Sequence, residues 1–145
     1  MKELIKDGRL EISQGGWSAT DEACPNFEDM ILNMYMGHNF LQNEFGIKPR
    51  IGWMVDAFGH SAANAALFHD FGFEAMFISR MDDRLRSELM RKGEMTFLWE
   101  PFSSHFGEEK QVLLHTLTED YLYPKGLRYD ERANEDDPVT SNKNL

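Results

Sequence analysis

Two charged residues stand where chemistry collects in chains that alternate strands and helices. Asp56 follows directly on the apolar run Arg50-Ile51-Gly52-Trp53-Met54-Val55, and Arg80 follows Phe77-Ile78-Ser79. In parallel α/β architectures, functional groups gather at the carboxyl edge of the sheet, where strands give way to loops. If the two runs are adjacent strands, a carboxylate and a guanidinium meet on one rim. The guanidinium then keeps the carboxylate ionised, the state that a nucleophile or a metal ligand needs. An ordinary ion pair capping two strands accounts for the same two residues equally well.

The connection after Asp56 sharpens the chemical reading. Ala57-Phe58-Gly59-His60-Ser61 places an aromatic ring, a turn glycine, an imidazole and a helix-capping serine in one strand-to-helix link. An ordinary connector rarely needs all of them. His60 reads as a structural histidine bonded to backbone rather than as a metal ligand. Gly15-Gly16-Trp17 also follows a strand, and glycines there would let the backbone approach a ligand closely. Trp17 itself could stack on a sugar face or be core, and alone it reads as core. His38, His69, His105 and His115 fall into no metal-binding spacing, and the sequence has no HExxH, paired CxxC, phosphate loop or GxSxG.

The elements that must position these groups follow from hydrophobic periodicity. Residues 2–8 read as the end of a helix, and Leu10-Glu11-Ile12-Ser13 as a short strand stopped by Gly15-Gly16. From Asn26, a helix cap, the positions Phe27, Met30, Ile31, Met34, Leu41 and Phe45 keep helical spacing until Gly46. The run from Ile51 to Val55 reads as a strand buried on both faces. Ser61 opens a helix with Ala63, Ala66, Leu67 and Phe71 inward, and Ala75-Met76-Phe77-Ile78 is another buried strand. A helix from Asp82-Asp83 carries Met81, Leu85 and Leu89 on one side and ends on Arg91-Lys92-Gly93. Two more strands, Met95–Trp99 and Gln111–Leu117, complete the pattern. Such alternation with short links implies an α/β fold of parallel strands and crossover helices, either an open doubly wound sheet or a (β/α) barrel. Beyond Tyr123 periodicity stops, and residues 124–145 read as an acidic loop or tail.

Composition narrows the classes. The chain has 145 residues, 41% of them hydrophobic, enough for one domain with a real core. With 25 acidic against 15 basic residues its net charge is -10, which argues against a nucleic-acid backbone or an anionic membrane as the main partner. No run is long enough to span a membrane, the first residues do not read as a signal peptide, and the lone Cys24 allows no internal disulfide.

Taken together in order and spacing, Gly15-Gly16-Trp17, Asp21-Glu22-Ala23 and Asp56-Ala57-Phe58-Gly59-His60-Ser61 resemble the α-mannosidases of glycoside hydrolase family 38. Gly72-Phe73, Phe77-Ile78-Ser79-Arg80, and the stretch from Leu113-Leu114-His115-Thr116-Leu117 through Tyr121-Leu122-Tyr123-Pro124 fit as well. The segment from Asp130 to Val139 resembles the lysosomal, acid branch more than the Golgi branch. The resemblance implies a seven-stranded (β/α) barrel of which residues 1–123 would be a central portion. It further implies one Zn2+ ion and retaining hydrolysis of terminal α-D-mannosides of glycoprotein N-glycans, in a lysosome or vacuole. Carried over position by position, Asp56 matches the nucleophile, which also ligates zinc, and Arg80 the arginine that contacts it. Phe58 matches an aromatic lining the sugar subsite, and Tyr123 a tyrosine at the acid/base side of the pocket.

Departures from the family pattern set the limits. Ala57 stands where the family has proline. The family's His-x-Asp zinc ligands, a further histidine ligand and the acid/base aspartate have no counterpart in these residues. The chain therefore reads as an internal fragment that needs the rest of the enzyme to complete its site. The alternative is a truncated, catalytically inactive remnant or carbohydrate-binding fragment. A polysaccharide deacetylase would need two histidines and an aspartate in ligand spacing, which the sequence does not offer.

Overall fold

The computed structural model describes residues 1–118 and Tyr121; the acidic stretch 124–145 and Tyr123 lie outside the described residues. Helix α1 (Lys2–Lys6) is followed by the long helix α2 (Phe27–Phe45), then β1 (Ile51–Met54), α3 (Ala62–Asp70), β2 (Ala75–Ile78) and α4 (Asp83–Lys92). The chain continues through β3 (Thr96–Trp99), a single helical turn α5 (Ser103–Phe106), a 3-10 turn (Gly107–Lys110) and β4 (Val112–Thr116). The four strands form one sheet in the order β1-β2-β4-β3.

Strands β1, β2 and β4 run parallel, as the alternation predicts, but β3 is antiparallel to β4. The reason lies in α4. Its ends follow the sequence reading: Asp82 caps it by accepting from the Arg84 and Leu85 amides, and Gly93 closes it in the left-handed region. None of its residues is buried, however, and Leu85 and Met90 are 47% and 48% exposed. A crossover helix buries its apolar stripe on the sheet as it carries the chain back. Helix α4 does not, so the chain returns as β3 itself.

The core fills one face of the sheet. Gly52 and Met54 of β1, Met76 and Ile78 of β2, and Val112, Leu114 and Thr116 of β4 are buried, with Met34 of α2 and Ala65 and Phe68 of α3 packed in the same core. Gly52 is required here, because a Cβ at this position would lie 2.7 Å from the Phe68 ring. The inward side of α3 is Asn64, Ala65 and Phe68, each one residue from the expected Ala63, Ala66 and Leu67. Reading only apolar positions misplaced the stripe, since Asn64 is buried as a hydrogen-bond donor to Glu22. Phe71 is half-buried and packs against the core as expected.

The opposite face is open. By register, Trp53, Phe77, His115 and Thr96 form a row across all four strands. Trp53 and Phe77 lie 5.6 Å apart, Phe77 and His115 5.4 Å, and His115 Nδ1 is 2.7 Å from Thr96 Oγ1. Trp53 is 42% exposed, Leu113 41% and Leu98 59%, so β1 is buried on one face only, not on both.

Residues 10–13 form no strand. Only Gln14 reaches β1: its amide donates to the Ile51 carbonyl at 2.6 Å, and its side-chain oxygen accepts from the Trp53 amide at 2.8 Å. Gln14 has a φ of 55°, which bends the chain away and ends the pairing there. The backbone then passes over α2. A Cβ on Gly37 would lie 2.0 Å from the Gly15 carbonyl oxygen and 2.6 Å from Trp17 N. The glycine pair therefore allows a close helix crossing inside the fold. Asn33 fastens the same crossing, its carbonyl accepting from Trp17 N and its side-chain oxygen from Ser18 N. Asn26 occupies the cap position of α2 but makes no side-chain cap bond, whereas Gly46 closes the helix at φ 69° as read.

Two outcomes follow from this packing. Gly37→Ala should lower unfolding stability by about 3 kcal/mol or more in urea denaturation, because its methyl meets backbone and not a yielding side chain. An unchanged midpoint would contradict the crossing. The 145-residue chain should also self-associate through its uncovered sheet face. Light scattering coupled to size exclusion should show oligomers that a Leu98→Lys, Leu113→Lys double variant reduces, and a monodisperse wild-type monomer would refute this.

Candidate active site

The register of β1 and β2 decides what meets at their ends. Met54 pairs with Ile78, the last residues of the two strands, and the chain then runs two residues to Asp56 on one side and two to Arg80 on the other. The two side chains arrive level. Asp56 Oδ1 accepts from Arg80 Nε at 2.5 Å. The side chains are about half exposed, so the contact orders the rim more than it stabilises the fold. The Asp56 hydrogen bond, partly opposed by desolvation, holds the Arg80 guanidinium above its ordinary value, so it is charged at any working pH.

The guanidinium is held from two further directions. Its Cζ lies 4.9 Å from the centroid of the Phe58 ring and 5.8 Å from that of Tyr121, and Nη2 donates to the Tyr121 hydroxyl at 3.4 Å. Phe58 is 63% exposed, an apolar surface beside a fixed charge pair at a sheet rim. Ala57 is buried in the core, which anchors the link between Asp56 and Phe58 without the ring of a proline. The structure thus brings together Asp56, Arg80 and Phe58. Tyr123 lies outside the described residues, and Tyr121, given no role by the sequence reading, makes the tyrosine contact.

Beneath this rim sits a polar cluster that sequence reasoning left unassigned. The Glu22 carboxylate, 3% exposed, accepts from the Ser61 amide through Oε2 and from Asn64 Nδ2 at 2.8 Å through Oε1. It therefore meets the N-terminus of α3, where the Ser61 side chain also caps by accepting from Ala63 N. His60 Nε2 donates to the Arg80 carbonyl oxygen at 2.8 Å, which is the backbone-bonded histidine expected. Its Nδ1 is buried, without a hydrogen bond, 3.8 Å from Glu22 Oε1. Asp21-Glu22-Ala23 stands among the motifs of the family resemblance, but the sequence reading gave Glu22 no role.

A cleft of about 280 Å³ is lined by Gln14, Asp21, Trp53, Asp56 and Phe58, among others. Asp21 is engaged in its own turn, accepting from Ala23 N at 3.0 Å and from Cys24 Sγ at 3.4 Å. A larger cleft of about 600 Å³ runs past Gly16, Trp17, Phe40 and Trp53. Trp17 is 65% exposed and meets Phe40 edge-on at 5.8 Å, so it is not core. The crossing over Gly37 carries its ring beyond the helix surface. His38, in contrast, is bonded to the Gln14 carbonyl oxygen at 2.8 Å and lies edge-on to Phe73. Among the described residues no three His, Cys, Asp or Glu side chains converge on a point that could hold a metal ion, and no helix is long and apolar enough to cross a membrane.

The model of the glycosyl hydrolases family 38 N-terminal domain matches residues 1–145. The chain is 37% identical over 145 residues to a lysosomal alpha-mannosidase of Dictyostelium discoideum, covering 100% of this chain and 14% of that protein. It is 36% identical to an alpha-mannosidase of Canavalia ensiformis, covering 99% and 15%, and 33% identical to the human lysosomal alpha-mannosidase, covering 90% and 13%. In fold it resembles the crystal structure of an alpha-mannosidase from Enterococcus faecalis V583, with a TM-score of 0.65 at 15% identity over 90% of this chain and 14% of that one. The chain thus spans about 14% of the length of such relatives, and it belongs to the glycosyl hydrolases of family 38 through their N-terminal domain.

Proposed function

We propose that this chain carries the nucleophile of a retaining α-mannosidase that hydrolyses terminal α-D-mannosides of glycoprotein N-glycans. The observation that carries the reading is the Asp56–Arg80 pair at 2.5 Å, level at the ends of two parallel strands and flanked by the Phe58 ring, in a family 38 chain. A retaining glycosidase needs a carboxylate that stays ionised and correctly aimed until attack. Asp56 is that group. Its oxygen forms the bond to the anomeric carbon as the glycosidic bond breaks. A second carboxyl, about 5–5.5 Å away in such enzymes, protonates the departing oxygen and later deprotonates the water that releases the sugar. That second group lies outside the described residues. Arg80 restrains Asp56, and Phe58 offers an apolar face to the sugar ring.

The remaining features of the reading rest on the family. Residues 1–123 form a central portion of a seven-stranded (β/α) barrel, a reading supported by the open apolar sheet face, which calls for further chain to cover it. The address is a lysosome or vacuole, in keeping with the names of the Dictyostelium and human relatives. Zinc is proposed with Asp56 as one ligand. A single hard oxygen does not make a zinc site, and among the described residues no partner ligands converge on it, so no step above runs through the ion.

The low coverage of its relatives favours a second reading for the chain by itself, an inactive or merely carbohydrate-binding fragment. Both are decided by hydrolysis of a chromogenic α-mannoside. The 145-residue chain should show no turnover and only weak zinc binding in calorimetry; stoichiometric zinc with turnover would refute the division of the site. In the full-length enzyme that carries this chain, Asp56→Asn should lower kcat by roughly three orders of magnitude or more. Retained activity in that variant would remove Asp56 from the role of nucleophile.

A further inference from the structure

The position of Asp56 depends on a loop, and the structure shows what restrains that loop. Residues 55–61 leave β1, carry Asp56 and Phe58, and enter α3 at Ser61. Phe58 and Gly59 are exposed, with no burial to hold them in place. His60 ties the far end of the loop to the neighbouring strand end: its Nε2 donates to the carbonyl oxygen of Arg80, whose side chain holds Asp56. The same arginine is therefore gripped twice, at its carbonyl by His60 and at its Nε by Asp56.

His60 is itself placed by Glu22. The Glu22 carboxylate is 3% exposed and the His60 side chain 13%, so both groups have left water. Burying a carboxylate is costly unless hydrogen bonds replace its hydration. Glu22 meets that requirement with the Ser61 amide and the Asn64 side chain, the two groups that bracket the start of α3. Its Oε1 then faces the unbonded His60 Nδ1 at 3.8 Å, on the side of the ring away from Arg80. The imidazole is thus fixed at Nε2 by a carbonyl, and Glu22 holds the residue that follows it, Ser61, through the backbone amide.

We propose that His60, oriented by Glu22, is a positioning residue that clamps the Asp56–Phe58 loop to the backbone of Arg80 and so fixes the geometry of the Asp56–Arg80 pair. It touches no substrate and moves no proton; it acts through the residues it aligns. The proposal deepens the glycosidase reading but rests on contacts that exist whatever the chain hydrolyses.

The test reads the pair directly, in the full-length protein that carries this chain, labelled with nitrogen-15. The Arg80 Nε–H resonance is identified by its loss in Arg80→Lys, and its unpaired position by Asp56→Asn. His60→Ala should move the wild-type resonance to that unpaired position and speed its exchange with water about tenfold. His60→Gln, whose amide can donate to the Arg80 carbonyl, should restore most of the wild-type signal, a rescue that general loosening of the fold would not give. Amide resonances of Phe68, Met76 and Leu114 report that the core is intact. If His60→Ala does not fold, Glu22→Gln replaces it and should shift the resonance in the same direction. An Arg80 resonance that stays at its wild-type position in a folded His60→Ala or Glu22→Gln variant overturns the proposal. Absence of α-mannosidase activity in the full-length enzyme would remove the function and leave this spectrum unchanged, so the two ideas fail separately.

Discussion

Everything at the rim depends on the register between β1 and β2. Because Met54 is paired with Ile78, an equal step along each strand brings Asp56 and Arg80 to the same height. A slip of one residue would move one of them by about 3.3 Å and turn every side chain of that strand to the opposite face. The register is therefore specified twice. Met54, Met76 and Ile78 must face the core while Trp53 and Phe77 face away, and Gly52 must lie under Phe68. Packing on the covered face thus sets the chemistry at the strand ends, although no residue of the pair takes part in the core.

The second requirement is a set of fixed loops, and these are tied down by polar groups and close backbone approaches. The segment before β1 is held on α2 by Gly37 and Asn33. The segment after β1 is held by Ala57 in the core, the Ser61 cap and the buried Glu22. Glu22 joins the two segments, since it comes from the first and bonds the start of the helix that follows the second. A carboxylate placed between loops in this way fixes orientation, which apolar contacts among small side chains do less well.

What the sequence revealed follows from what local chemistry records. Strands β1 to β4, the helix ends at Gly46 and Gly93, the Asp82 and Ser61 caps, and the meeting of Asp56 with Arg80 were legible, because each rests on spacing or on a terminal residue type, whereas the strand expected at residues 10–13 is absent. The role of His60 as a backbone-bonded histidine was legible for the same reason. Several readings failed, three of them where distant neighbours decide. The direction of β3 depends on α4 lying off the sheet, and nothing within residues 83–92 encodes that. The exposure of Trp17 depends on where a crossing over Gly37 delivers it. The inward side of α3 depends on Asn64 finding Glu22, a partner 42 residues earlier in the chain. Glu22 was equally hidden, since burial of an acid is set by its partners and not by its own neighbours in sequence.

The strand order β1-β2-β4-β3 also constrains how this sheet can be assembled. Strand β3 is made before β4, yet β4 is the one strand it pairs with among the described residues. Until β4 exists, β3 has no ladder to join, and the edge of β2 that β4 will fill stands open. β3 and β4 are close in sequence and antiparallel, so their pairing closes a short loop at low entropic cost. Synthesis interrupted before Val112 would leave the sheet with β1 and β2 alone, a two-stranded remnant that carries both Asp56 and Arg80 but has too little sheet to hold them.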